Sequence, residues 1–185
     1  MQKVSQDRSF SNKFTGEKIT FLETSQDTNG EYEYIEVFLP PGMSGAPLHS
    51  HERFEEEVEV VEGELKVVIG HGSKFLTEGE TLLIPKETPH MFMNASTNKP
   101  VTFRTKIKPA HYFEESIRIL YGLMEDGQTD KKGLPNDRIH LALVYEMQDT
   151  QVVELPLILK LFMRWLVKKG KKKGIDQQLI EKYVR

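Results

Sequence analysis

Three histidines and a choice of carboxylates stand at spacings that suit a metal ion. One segment runs from Gly42 through His49, His51 and Glu56 to Gly63, and a second from Gly79 through Pro85 and His90 to Asn94. Imidazole and carboxylate are the donors that divalent first-row transition metals favour. Three imidazoles and one carboxylate also leave coordination positions open for water or a substrate. An ion held this way can activate oxygen together with a bound substrate, or act as a Lewis acid on a carbonyl or enolate.

Strand geometry selects the donors. His49 and His51 are one residue apart, so on a strand both imidazoles point to the same face, with Cβ atoms roughly 7 Å apart. Five glutamates follow: Glu52, Glu55, Glu56, Glu57 and Glu59. Glu56 shares its parity with Val58 and Val60, whereas Glu55, Glu57 and Glu59 share the other. The valine face is the one to bury, so Glu56 is the carboxylate aimed inward. A turn or bulge must lie between His51 and Glu56 to restore the face. On the second segment His90, Phe92 and Asn94 share a face, which turns His90 inward beside an aromatic ring.

These donors sit within a strand-rich stretch. Ile19–Thr24, Tyr32–Leu39, Val58–Val61, Leu65–Gly70, Thr81–Ile84, Met91–Phe92 and Val101–Ile107 have strand length and composition. Asn29-Gly30 signals a type I′ hairpin, and Pro40-Pro41-Gly42, Glu62-Gly63, Gly70-His71-Gly72 and Glu78-Gly79 mark further turns. Such spacing predicts a sandwich or barrel. After Pro109 the period changes. Phe113, Ile117, Leu120, Tyr121 and Met124 predict a helix ending near Asp126-Gly127. Asn136 or Asp137 is placed to cap a second helix, although His140–Tyr145 also reads as a strand. A third helix is expected from Leu157 to about Lys169, with Pro156 near its first turn, and a short fourth within Gly174–Arg185.

The two histidine segments resemble the paired motifs of the cupin superfamily, and the resemblance spans roughly residues 16–109. In the first, His49 and His51 match, four residues lead to Glu56 and six more to Gly63; the gap from Gly42 to His49 is one residue longer than usual. In the second, Gly79, Pro85, His90 and Asn94 match, while Glu87 stands where the family has glycine. The resemblance implies a mainly β double-stranded β-helix, a jelly-roll-like barrel, over residues 1–110, with a helical extension over 111–185. It implies that His49, His51, Glu56 and His90 hold a divalent transition metal (iron, manganese, nickel or zinc), with Glu56 also a candidate proton carrier. It further implies a homodimer and a small-molecule ligand or substrate. The family's chemistry includes dioxygenases, isomerases, decarboxylases and non-catalytic binding proteins. An oxygenase-like or isomerase-like enzyme acting on a small, largely apolar molecule is therefore expected, with a binding or sensing module as the alternative.

Val58, Val60 and Phe92, with Met43 and Met91, are expected to line the pocket, and Tyr34, Arg104 and Lys106 are candidate polar anchors. His71, His111 and His140 read as loop, surface or packing residues. The 185-residue chain has 29% charged residues, no cysteine and a net charge of −3, which excludes disulfides and thiolate sites and gives no overall attraction to nucleic acid. The charge divides unevenly, −5 over residues 1–110 and +2 over 111–185. The amino terminus lacks the apolar core of a leader peptide, so a cytoplasmic location is expected. Residues 156–173 are amphipathic, with Lys160, Arg164 and Lys168 four apart and no acid between Glu154 and Asp176. That helix either packs on the barrel or a second copy, or lies on a membrane surface.

Overall fold

The structure is a computed structural model and describes residues 8–185, so the reading of residues 1–7 as free of a leader's apolar core lies outside it. Strands β1 (Ser9–Ser11), β2 (Lys18–Glu23), β3 (Glu33–Leu39), β4 (His49–Ser50), β5 (Glu55–Glu62), β6 (Glu64–Ile69), β7 (Gly72–Thr77), β8 (Thr81–Ile84), β9 (His90–Asn94) and β10 (Val101–Lys108) come first. Helices α1 (Phe113–Glu125) and α2 (Arg138–Met147), strand β11 (Gln151–Val152), and helices α3 (Leu157–Lys172) and α4 (Ile175–Tyr183) follow. The strands form two antiparallel sheets, ordered β1-β2-β3-β10-β5-β8 and β11-β4-β9-β6-β7.

Alternation along the strands fills the space between the sheets. Ile35, Val37 and Leu39 of β3, Val58 and Val60 of β5, Leu65 and Val67 of β6, and Phe103 and Ile107 of β10 form one buried core. On the outer face, Glu59, Glu57 and Glu55 stand opposite Arg104, Lys106 and Lys108 in register. Opposite charges directly across an antiparallel pair attract, which accounts for the glutamate run as a solvated face. Arg104 and Lys106 therefore point away from the core, as does Tyr34. The Arg104 Nε lies 3.0 Å from Glu36, and the Lys106 ammonium sits over the rings of Tyr32 and Tyr34. None of the three serves as a polar anchor inside the barrel.

Asn29 and Gly30 both have positive φ, as a type I′ turn needs, but β2 and β3 are joined by a longer loop. Thr24 and Asp27 bond each other's backbone and side chains and build a local turn before the expected one. Residues 140–145 are helical. Asp137 caps α2, its carboxylate accepting from the amides of Ile139 and His140 at 2.7 and 3.1 Å.

Helix α1 joins two cores. Ile117, Tyr121 and Met124 pack on the barrel core, while Ile119 and Leu123 meet Leu143, Val144, Met147 and Leu179. Its entry is fixed by Glu33, a fully buried carboxylate that accepts from the amides of His111 and Glu114. Burial pushes the Glu33 carboxyl up to about 7; those two amides pull the other way and Glu115 and Glu114 add repulsion. Its folded pKa exceeds the unfolded value near 4.5, so the folded chain holds a proton the unfolded chain has released. The group therefore favours folding below about pH 4.5, and this contribution is lost as pH rises to about 7. Chemical denaturation across pH should show Glu33→Gln gaining on the wild type by about 3 kcal/mol between pH 4.5 and 8. Parallel stability curves for the two proteins would contradict this.

Candidate metal centre

The sequence changes sheet between the first histidines and the glutamate. β4 carries His49 and pairs with β9 through His49 and His90, whereas Glu56 lies on β5 in the facing sheet. The turn expected between His51 and Glu56 is this crossing, a bend at Glu52 and Arg53 followed by the buried ring of Phe54. Donors from opposite sheets thus aim into one interior space. His51 lies just past the end of the short β4 strand, yet its ring still converges on the other two.

The donor nitrogens of His49, His51 and His90 all lie within 4.8 Å of one another, a cluster that can hold a metal ion. Each ring is oriented from behind. The Nδ1–H of His49 donates to the Pro47 carbonyl at 2.7 Å, that of His51 to Asp149 at 3.1 Å, and that of His90 to Thr88 at 2.9 Å. A carbonyl only accepts, so each Nδ1 carries a proton; the Nε2 atoms of His49 and His51 are left to present lone pairs inward, and that of His90 faces Glu56. His51 also stacks on Phe54, with ring centroids 4.2 Å apart.

Glu56 lies against this cluster. Its Oε2 lies 2.7 Å from His90 Nε2 and 3.8 Å from His51 Nε2. Glu56 Oε2 and His90 Nε2 are both buried, and neither has a partner in hydrogen-bonding geometry. Two buried polar atoms that close, yet not aimed at each other, fit two donors directed at one common ion.

Electrostatics agree with that fit. Burial, then the neighbouring His51 and His90, holds His49 down at about 4. Burial also lowers His51, against the pull of Glu56. For Glu56, burial works to raise the carboxyl, but His90, His51 and His49 together hold it at about 2. His90 is raised, because the adjoining Glu56 outweighs the effect of burial. Neutral His49 and His51 beside an ionised Glu56 is the protonation state that a divalent cation requires.

The second segment is anchored just as firmly. Glu87 occupies the motif's glycine position and takes the left-handed conformation itself, at φ 61°. Its amide donates to the His51 carbonyl at 2.6 Å, tying the turn before His90 to the first histidine segment. Asn94 lies on the inward face as expected, but its work is structural. Its amide nitrogen reaches the carbonyls of Leu39, Pro40 and Lys99, and its oxygen accepts from Ser96 N. Phe92 packs on Phe103 beside the site, whereas Met91 alternates to the other face of β9.

Two buried residues without a motif signal stand out, one in the barrel interior and one behind His51. Thr105, 1% exposed and inward between Phe103 and Ile107, has a buried hydroxyl with no partner among the described residues. Asp149, between α2 and β11, orients His51 through its carbonyl. Its carboxylate accepts from the amides of Glu52 and Arg53 at 2.6 and 2.7 Å. The remaining histidines stay outside: His71 is exposed in a turn, His140 is half-buried in α2, and His111 packs against Phe54.

A family model described as a cupin domain matches residues 35–105. No curated protein matches the chain. Similar solved structures include an RmlC-like cupin from Shewanella frigidimarina, 23% identical, covering 60% of this chain and 90% of that one with a TM-score of 0.47. A sugar phosphate isomerase of the cupin superfamily from Silicibacter pomeroyi is 24% identical, covering 57% of this chain and 67% of that one at 0.45. A predicted oxalate decarboxylase from Thermotoga maritima is 20% identical, covering 50% and 80% at 0.48. Both glycine-anchored histidine segments lie inside the matched range, on strands of the two facing antiparallel sheets, so residues 35–105 form a domain of the cupin superfamily.

Proposed function

We propose that His49, His51, Glu56 and His90 hold one divalent transition-metal ion, and that the chain uses it as an enzyme on a small, largely apolar organic molecule, oxygenation ahead of isomerisation. The observation that supports this most is the inward convergence of three Nε2 atoms and an ionised carboxylate from two facing sheets. Iron, manganese, nickel and zinc all accept this donor set; once bound, such an ion supplies oxygen-activating or Lewis-acid chemistry. The chain's own residues do the rest. Carbonyls of Pro47, Asp149 and Thr88 fix the imidazoles, and Phe54, Phe92, Val58 and Val60 exclude water. Glu56 is the carboxylate placed to carry a proton, and the Thr105 hydroxyl offers a polar contact to a bound molecule.

In this reading residues 1–110 form the metal-holding barrel unit and 111–185 its helical extension, in a cytoplasmic homodimer. Sedimentation velocity over a range of concentrations checks the dimer. A non-catalytic binding module is favoured by one observation, that the four donor residues are at most 6% exposed. Oxygen uptake by iron- or manganese-loaded protein with a panel of small aromatics separates the two. Turnover that disappears in His51→Ala supports the enzyme, whereas ligand retention without turnover selects the binding module.

A further inference from the structure

Helix α3 docks by one side only. Leu166 and Gly170 are buried, and a Cβ at Gly170 would lie 2.7 Å from Ile139 Cγ2, so the glycine lets α3 press onto α2. The opposite side projects. Leu157 and Ile158 are 73% and 75% exposed, and Leu161, Phe162 and Trp165 are also exposed. At 3.6 residues per turn these five fall within one sector of about 140°. Lys168, Lys169, Lys172 and Lys173 fall in nearly the same sector, one to two turns further on. The free face of α3 therefore changes along its axis from apolar to basic. Trp165 stands at the junction, its ring stacked on Phe162 and covered by the Lys169 ammonium at 4.8 Å.

We propose that this face is a docking surface for an anionic lipid bilayer, with the Leu157–Trp165 half sunk among the headgroups and the lysines at the phosphates. A contiguous projecting apolar face of this kind marks an interaction site on a soluble domain. Its chemistry matches an interfacial helix: aliphatic side chains for the acyl boundary, an indole for the interface, and lysines for anionic headgroups. Among the described residues, Lys168, Lys172 and Lys173 have no ion-pair partner, and no acid lies between Glu154 and Asp176 to neutralise them. None of the helices among the described residues is long and apolar enough to cross a membrane, so the contact is a surface one.

A second copy fits the same face poorly. Two-fold pairing through α3 sets lysines against lysines if the helices are parallel, and against Leu157 and Leu161 if they are antiparallel. A bilayer with anionic headgroups satisfies both halves at once.

Co-sedimentation of the full chain with phosphatidylcholine vesicles, with and without phosphatidylserine, tests the proposal. Binding is expected only with phosphatidylserine and should be lost in high salt. Leu161→Asp and the pair Lys168→Ala/Lys172→Ala should each weaken it by about tenfold or more. Both variants change exposed positions, so thermal melts matching the wild type are expected and exclude unfolding as the cause. No partition onto anionic vesicles at low salt would overturn the proposal, as would variants that bind like the wild type. So would a Leu161→Asp chain that passes from dimer to monomer while the wild type ignores vesicles, which would make the face a contact between copies.

Discussion

The His51→Ala variant is expected to bind divalent metal roughly a hundredfold more weakly than the wild type, or worse, and to show no metal-dependent turnover. A structural site draws on the order of 10 kcal/mol from its donors together, so one of four is worth a few kcal/mol. His51 carries more than its share of the arrangement. Its ring is stacked on Phe54 and held by the Asp149 carbonyl, and its own carbonyl receives the Glu87 amide. The alanine variant keeps that last bond and loses the imidazole alone, so its fold should survive at a cost of about 1 kcal/mol in aromatic contact. Competition titration against a chelator of known affinity, beside a thermal melt, measures both effects. Wild-type affinity in the variant would remove His51 from the site.

Asp149→Ala should have the next largest effect, and on two quantities together. The carboxylate is 4% exposed and accepts two short bonds from the amides of Glu52 and Arg53, which alanine would leave without partners. Losing two charge-assisted bonds to backbone amides costs about 3 kcal/mol. Asp149 also has φ 51°, a conformation that alanine adopts at a cost of about 1 kcal/mol. The bend it grips joins His51 to Glu56, and its carbonyl fixes the His51 ring. Metal affinity should therefore fall about ten- to hundredfold, the usual consequence of disturbing the shell behind a ligand. Asp149→Asn tolerates the left-handed backbone and keeps an acceptor, so it should recover most of the affinity. An alanine variant that melts and binds metal like the wild type would contradict this role.

The barrel and its inward histidines were legible because they rest on short-range rules. Period-two alternation put Val58, Val60 and Glu56 on one face, and it placed His90 and Phe92 together on β9. Composition predicts Thr81–Ile84 with the bounds it has, and the helical period predicts α1 to within a residue or two. What escaped depends on distant parts of the chain. β4 and β11 are two residues each, too short for any periodic signal, and they exist because they pair with each other and β4 also pairs with β9. The step from His51 to Glu56 read as a turn or bulge, since one sequence does not show that its two ends belong to different sheets. Asp149 lies about a hundred residues from the bend it grips and matches no motif. Lys106, Arg104 and Tyr34 look like candidate anchors in the sequence because their face is set by pairing of β10 with β3 and β5, strands distant in the chain. Glu87 is instructive in a different way. The motif's glycine is missing, yet the left-handed turn forms, because its amide is bonded to the strand end that carries His51.

The proposed metal cage consists of three histidines and Glu56. Its most direct test is the metal content of the purified full chain after exposure to iron, manganese, nickel or zinc and removal of excess, beside the His49→Ala/His51→Ala/His90→Ala triple variant. About one equivalent of at least one of these metals is expected in the wild type and almost none in the triple variant. A wild type that retains none of the four, or a triple variant that retains as much as the wild type, would contradict it.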